Sequence, residues 1–220
     1  MLRPGLLEGI AVLLAGPAPD ARREALADAV AGACSALGAT LARCSAPAAR
    51  APNPDREPAH TNVRSSPEEG EAAGERAVRI ALEELGRIDL LVVDAATATT
   101  PAEADALGEC LRSAWTLTRS VFNLAFLPAQ SGRLVYVAPR EGSYPYAGAA
   151  RAGLENLART LSIEWARHGV TAVTIAPGRL TPAGEVAALA AYLASPAGAY
   201  FSGCVLDLRG GGSSAAHPAE

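Results

Sequence analysis

The sequence predicts an α/β protein: a Rossmann-like, doubly wound parallel sheet covered by helices on both faces, a three-layer α/β/α arrangement in a single domain. Three observations carry this. Short apolar runs alternate with stretches of helical periodicity along the whole chain. Several of the runs, such as "IDLLVVDAA" and "VTAVTIAPG", are continuously apolar rather than alternating, as strands buried on both faces must be. And 220 residues, half of them hydrophobic, are enough for one buried core.

The elements follow in order. Residues 10–16 ("IAVLLAG") read as a buried strand. Residues 20–37 read as a helix, with Leu26, Val30, Cys34 and Leu37 on one stripe. Residues 39–44 ("ATLARC") form a second strand. Residues 45–74, rich in Pro, Ala, Arg and Glu, read as loop, with a short third strand near 61–63. A helix over 75–85 leads to a strand over 88–96, and a long helix over 102–126 to a strand over 133–139. A helix over 147–167 and a strand over 170–178 come next, then a short helix over 183–193 and a last strand over 204–208. The domain is expected to span 1–209, with 210–220 a flexible tail.

Composition narrows the function. The net charge is −4 and the arginines are scattered, whereas a nucleic-acid binder shows a basic face. The N-terminal apolar run is too short for a membrane span and reads as the first strand, so no membrane association is expected and the location is expected to be cytoplasmic. Cys34, Cys44, Cys110 and Cys204 form no CxxC pair and read as free thiols of a reducing compartment, with no metal site. All 19 basic residues are arginine; the chain has no lysine.

Four segments, "LEELGRIDLLVVDAA", "SGRLVYVAP", "ARAGLENLARTLSIEWARHGVTAVTIAPG" and "LASPAGAYFSGCVLDLRGG", occur in the order and at roughly the spacing of one known family. Over nearly its whole length the chain resembles the short-chain dehydrogenase/reductase family. The resemblance implies a Rossmann-like fold that binds NAD(P)H and moves a hydride between it and a carbonyl or alcohol.

The family's working parts, carried over position by position, are altered. Its first strand-to-helix turn has three glycines, which let the backbone approach the pyrophosphate at the helix N-terminus. Here the turn is "AGPAPDAR": Gly16 remains, Asp20 and Arg22 stand at the second and third glycines, and Pro17 and Pro19 each remove an N–H donor. Asp20 then reads as a helix cap. The strand that the family ends with Asn-Asn-Ala-Gly ends here in Val93-Asp94-Ala95-Ala96, and Asp94 reads as a capping or loop residue. Of the family's Asn, Ser, Tyr and Lys proton-relay residues, the alignment puts Cys110 at Asn, Pro139 at Ser, Ala147 at Tyr and Arg151 at Lys. Tyr146 lies one residue early, a rotation of about 100° on a helix. Most of the substrate lid that follows Pro177-Gly178 in the family is missing.

In the family the two long helices pair with those of a second subunit. Leu111, Trp115, Thr118 and Phe122 recur at helical spacing on the first, and Leu154, Leu157, Leu161 and Trp165 on the second. Leu111, Trp115, Phe122, Leu154, Leu157, Leu161 and Trp165 are therefore the candidate interface. The expectation is a non-catalytic subunit that binds no cofactor itself and supports an active paralogue, which carries NAD(P), in a hetero-oligomer acting on β-hydroxyacyl or β-ketoacyl thioesters. The alternatives are a remodelled oxidoreductase using Tyr146 and Arg151, and a non-enzymatic scaffold or regulatory binding protein.

Overall fold

A computed structural model describes residues 3–16, 26–45, 67–95 and 105–209. Among these residues six strands form one parallel sheet: β1 (Ala11–Gly16), β2 (Thr40–Ser45), β3 (Leu90–Asp94), β4 (Gly132–Val137), β5 (Val170–Ala176) and β6 (Cys204–Asp207). Their spatial order is β2-β1-β3-β4-β5-β6. The register pairs Val12 with Leu90, Leu91 with Leu134 and Val135 with Val173, which threads the most apolar stretches through the middle of the sheet. Because β1 lies between β2 and β3, the direction of winding reverses there, and the carboxyl ends of β1 and β3 open the crevice where doubly wound sheets take their ligands.

The helices are α1 (Leu26–Ala36), α2 (Pro67–Leu85), α3 (Asp105–Val121), α4 (Leu127–Ala129), α5 (Ala147–Glu164) and α6 (Ala183–Ala194). Two cores flank the sheet. One gathers Val78, Leu117, Phe126, Leu134, Tyr136 and Leu154 from α2, α3, α5 and one sheet face. The other gathers Val30, Val92, Val135, Ile175, Val186 and Ala190 between α1, α6 and the opposite face. Tyr136 is fully buried, and its hydroxyl lies 2.9 Å from the Thr118 hydroxyl, which satisfies both.

The expected fold class is the observed one, with differences at the ends of elements. Helix α2 begins at Pro67, eight residues before the expected 75, inside a stretch read as loop. Proline at a helix start loses no intrahelical bond, and Glu68 and Glu69 suit the positive end of the helix dipole. Gly74 also lies within α2: a Cβ there would come within 3.0 Å of Ser120 Oγ and Thr116 Cγ2, so the glycine lets α2 and α3 approach closely. The long helix does not run uniformly to 126. It turns π-helical over Phe122–Phe126 and closes with α4. Strand β4 ends at Val137 and α5 at Glu164, each a few residues short of expectation. The expected strand near 61–63, the start of the first helix at 20 and the tail 210–220 lie outside the described residues. No helix among the described residues is long and apolar enough to cross a membrane.

Candidate functional site

Gly16, Asp94, Pro139 and Arg151 gather at the carboxyl end of the sheet. Gly16 ends β1 and Asp94 ends β3, side by side at the reversal of winding. A Cβ on Gly16 would lie 3.1 Å from the Ala27 Cβ and 3.6 Å from the Asp94 Cβ, so a larger residue there would require α1 to give by a few tenths of an ångström. Asp94 is 2 % exposed, and its Oδ2 accepts the Ala27 N–H at 3.1 Å. A strand-end carboxylate thus reaches the main chain of α1 among the first of its described residues. Asp20 and Arg22 lie outside the described residues.

Cys110, in α3, is 1 % exposed. Burial pushes its thiol up to about 11, with the Asp94 carboxylate adding to the effect. The thiol is therefore protonated at neutral pH and is no thiolate nucleophile.

The connection from β4 to α5 carries two tyrosines on either side of Pro145. Tyr146, proposed as a proton donor, is 41 % exposed at the start of α5, and its side chain caps no helix N–H. The tyrosine that turns inward is Tyr144, which sequence reasoning passed over. It packs against the core on the α3 side, and its hydroxyl is buried without a hydrogen-bond partner. Burial pushes it up to about 12, and the neighbouring Cys110 contributes. The signal for it is "YPY": Pro145 separates two tyrosines just before the helix and fixes the backbone between them. Counting positions alone favoured the tyrosine nearer the helix.

Arg151 reaches across the ends of two strands. Its Nη1 donates to the Pro139 carbonyl at 2.8 Å and to the Pro177 carbonyl at 2.6 Å, while its Nη2 is buried with no partner. Burial lowers its pKa, Arg209 lowers it further, and Asp207 and Glu141 oppose this. Arg140 ties the same two connections by donating to the Gly178 carbonyl at 3.4 Å and to the Thr181 carbonyl. The Thr181 hydroxyl accepts the Gly178 N–H at 2.8 Å and donates to the Leu208 carbonyl at 3.1 Å, which joins the end of β6 to the cluster. Asp207 and Arg209 form an ion pair that holds the Asp207 carboxyl down at about 2. Among the described residues no cluster of three or more His, Cys, Asp or Glu is placed to hold a metal.

The candidate interface residues divide in two. Leu154 is fully buried and Leu161 is 4 % exposed; both belong to the chain's own core and present little surface to a partner. Phe122 is buried, and Leu111 packs so closely on α5 that a Cβ on Gly153 would lie 2.8 Å from its Cδ2. Trp115, at 40 % exposure, and the half-buried Leu157 and Trp165 face outward. With Thr160, Glu164 and the edge of Leu161 they line an open groove of about 390 Å³ between α3 and α5. Its floor is aromatic: Trp165 stacks on Phe122 with centroids 3.9 Å apart, and Trp115 lies 6.5 Å from Trp165.

A six-stranded parallel sheet in this order, with this connection from β4 to α5, defines a class of nucleotide-crevice α/β proteins. Within that class the chain belongs to the short chain dehydrogenase family, whose profile matches residues 26–190. Among curated relatives it is 27% identical over 175 residues to a 3-oxoacyl-(acyl-carrier-protein) reductase of Vibrio cholerae, covering 62% of this chain and 71% of that one. It is likewise 27% identical over 177 residues to an acetoacetyl-CoA reductase of Acinetobacter, covering 63% of this chain and 71% of the other. Among solved structures, a citronellol catabolism dehydrogenase of Pseudomonas aeruginosa superposes with a TM-score of 0.71 at 24% identity, over 94% of this chain and 96% of that one. A 3-ketoacyl-(acyl-carrier-protein) reductase of Brucella melitensis, solved with NADH, gives 0.70 at 19% identity over 93% and 98%.

Proposed function

We propose that this chain is a non-catalytic short-chain dehydrogenase subunit that pairs with and supports an active, NAD(P)-dependent relative acting on β-hydroxyacyl or β-ketoacyl thioesters. The thioester class is supported by the two curated relatives, whose names describe reduction of a 3-oxoacyl carrier-protein thioester and of acetoacetyl-CoA. One observation carries the reading: the side chains of Pro139, after β4, and Ala147, at the start of α5, have no proton to give, while the apolar face shared by α3 and α5 stays open.

Dinucleotide binding in the family's manner fits these residues poorly. The Asp94 carboxylate already accepts an N–H among the first described residues of α1, toward the helix end where a pyrophosphate would seek such groups. Arg151 gives Nη1 to two main-chain carbonyls. No step of a hydride-transfer reaction is therefore assigned to this chain. A remodelled oxidoreductase built on Tyr146 and Arg151 is the second reading; Tyr146 is 41 % exposed at the start of α5 and Arg151 Nη1 is committed to two main-chain carbonyls, which favours it less.

The experiment is co-expression with an intact relative from the same genome, one that carries Tyr-x3-Lys and the glycine turn, followed by mass measurement from light scattering. A stable hetero-oligomer is expected, and Leu157→Arg, in the groove, should dissociate it without unfolding the chain. The isolated chain should bind NAD(H) and NADP(H) more weakly than about 10 μM, or about −6.8 kcal/mol, in calorimetric titration. Monomeric behaviour both alone and with the relative would overturn the partner reading, and tight dinucleotide binding would overturn the non-catalytic one.

A further inference from the structure

We infer that the groove between α3 and α5 receives an arginine side chain of the partner subunit, whose guanidinium stacks on the indoles of Trp115 and Trp165 and pairs with Glu164. The inference rests on the partner-subunit reading and adds the chemistry by which the groove selects its partner.

The first argument is charge. Trp115, Leu157, Thr160, Leu161, Glu164 and Trp165 line the groove, so Glu164 is the single charge in a mostly apolar lining. Among the described residues its carboxylate has no ion-pair partner. The arginines of α3, of α5 and of the turn after α5 are engaged elsewhere. Arg112 pairs with Glu109, Arg119 with Glu71 and Arg159 with Glu155. Arg151 donates to two main-chain carbonyls, and Arg167 Nε donates to the His168 ring at 3.1 Å. Facing water, a lone glutamate is unremarked. A partner that covers the groove strips that water away, and a charge buried without a counter-charge is expensive. The covering surface must therefore bring a cation.

The second argument is the surface beside that charge, which decides between the two cations. Phe122 and Trp165 touch face to face, with centroids 3.9 Å apart and planes within 10° of parallel. Trp115 stands off from Trp165 at 6.5 Å, with planes 23° apart, and is 40 % exposed. Indole surface thus lies bare in an open groove of about 390 Å³. A guanidinium is planar and weakly hydrated, stacks on aromatic faces and presents a fork of donors that matches a carboxylate. Its methylene stem can lie along Leu157 and Leu161. A lysine ammonium can pair with Glu164, but it is a strongly hydrated point charge with no plane to lay against the rings. Thr160, one helical turn before Glu164, adds a hydroxyl oxygen to the same lining.

The third argument separates the relative from a second copy of this chain. The arginines that a second copy would bring on its own α3 and α5 are already bonded within that copy, so each new bond to Glu164 would replace an old one. A relative with an uncommitted arginine on the facing helices gains the bond outright. Tryptophan and arginine are also the side chains that carry most of the binding energy at protein interfaces, which suits a site where two of one meet one of the other.

The test uses the full chain grown with 5-fluorotryptophan. The chain has two tryptophans and both line the groove, so their fluorine resonances report on it alone. L-Arginine amide should shift both resonances saturably. L-Lysine amide should do so less, and L-citrulline amide, which keeps the shape without the charge, not at all. Glu164→Gln, at an exposed position, should leave the circular dichroism unchanged. It should weaken both the arginine amide response and association with the active relative at least tenfold. No saturable shift with arginine amide, an equal shift with citrulline or lysine amide, or a Glu164→Gln chain that binds the relative as tightly as wild type would overturn this inference and leave the partner reading standing. A wild-type chain that takes arginine amide but binds no relative would overturn the partner reading instead. Self-association that Glu164→Gln abolishes would overturn the choice of partner in favour of a second copy.

Discussion

The groove between α3 and α5 is tested most directly at Trp115. This side chain is 40 % exposed, stands at the groove rim and leans toward Trp165. A tryptophan presents up to about 250 Å² of surface, so roughly 100 Å² remains for a partner to cover. At about 25 cal/mol per Å², covering it contributes about 2.5 kcal/mol, or roughly 70-fold in affinity. Area converts poorly to absolute affinity, but the difference between two variants of one interface is better defined. Trp115→Glu removes that area and leaves a charge to be desolvated on association, so 70-fold is a lower bound. Within the chain the substitution is tolerable: a glutamate at 115 lies three residues after Arg112 and four before Arg119, the spacing at which opposite charges on a helix attract. Sedimentation of wild type and variant, alone and with the active relative, reads the effect, and circular dichroism checks the fold. Ile80→Glu, on the exposed face of α2, controls for added charge and should leave association unchanged. A folded Trp115→Glu chain that associates as tightly as wild type would refute the argument, because no other groove residue leaves so large an apolar side chain uncovered.

Two further outcomes follow from packing and titration. Gly132→Ala would put a Cβ 2.2 Å from Cγ of the Phe126 ring, which is held by the π-helical turn, and should cost about 1–3 kcal/mol in urea unfolding; an unchanged midpoint would show that the ring is free to move. Burial pushes Cys34 and Cys110 up to about 11 and Cys44 up to about 12, from an ordinary 9.0. At pH 8 their thiolate fraction is then about one in a thousand or less, against roughly one in ten for a free cysteine at 9.0, so iodoacetamide should label all three far more slowly than the urea-unfolded chain. The folded state holds these protons more tightly than the unfolded one. The stability they contribute is thus fully present below about pH 9 and is lost as pH rises through 11, and a melting temperature flat across that window would contradict their burial.

The fold was legible because strand burial is written into composition. "LLVVD" and "VTIA" carry no alternation, and only a strand covered on both faces gives such a run. The start of α2 was missed because its signals were diluted. Pro67 with Glu68 and Glu69 opens a helix as clearly as any cap, but Gly70 and Gly74 lower its propensity, and the packing on Ser120 and Thr116 that favours Gly74 comes from another element. The outward stripe on α5 was half legible. A 3.6-residue period puts Leu154, Leu157, Leu161 and Trp165 on one broad face, but it cannot say where the sheet ends and the surface begins; the structure assigns Leu154 and Leu161 inward and Leu157 and Trp165 to the groove. Tyr144 escaped because a loop conformation, not a helical period, decides which of two tyrosines turns inward.

Asp94 and Arg151 give the two halves of the sheet's carboxyl end opposite charge, which bears on the proposal that this chain binds dinucleotides weakly. At the β1–β3 end a fixed carboxylate reaches the first described residues of α1 and accepts the Ala27 N–H. A second anion about 5 Å from it would meet a repulsion of roughly 3 kcal/mol at an effective dielectric of 20, enough to weaken binding by about two orders of magnitude. At the β4–β5 end the sign reverses, since Arg140, Arg151, Arg179 and Arg209 outnumber Glu141 and Asp207. A dinucleotide must satisfy both ends at once, because its pyrophosphate lies at the winding reversal while its reactive ring reaches across the neighbouring strand ends. The two ends are also set by different elements, Asp94 by β3 and Arg151 by α5, so each can change without the other. Asp94→Asn therefore removes the repulsion but restores neither the donors that Pro17 and Pro19 lack nor a hydroxyl at Pro139, and relieving one end alone leaves dinucleotide binding weak.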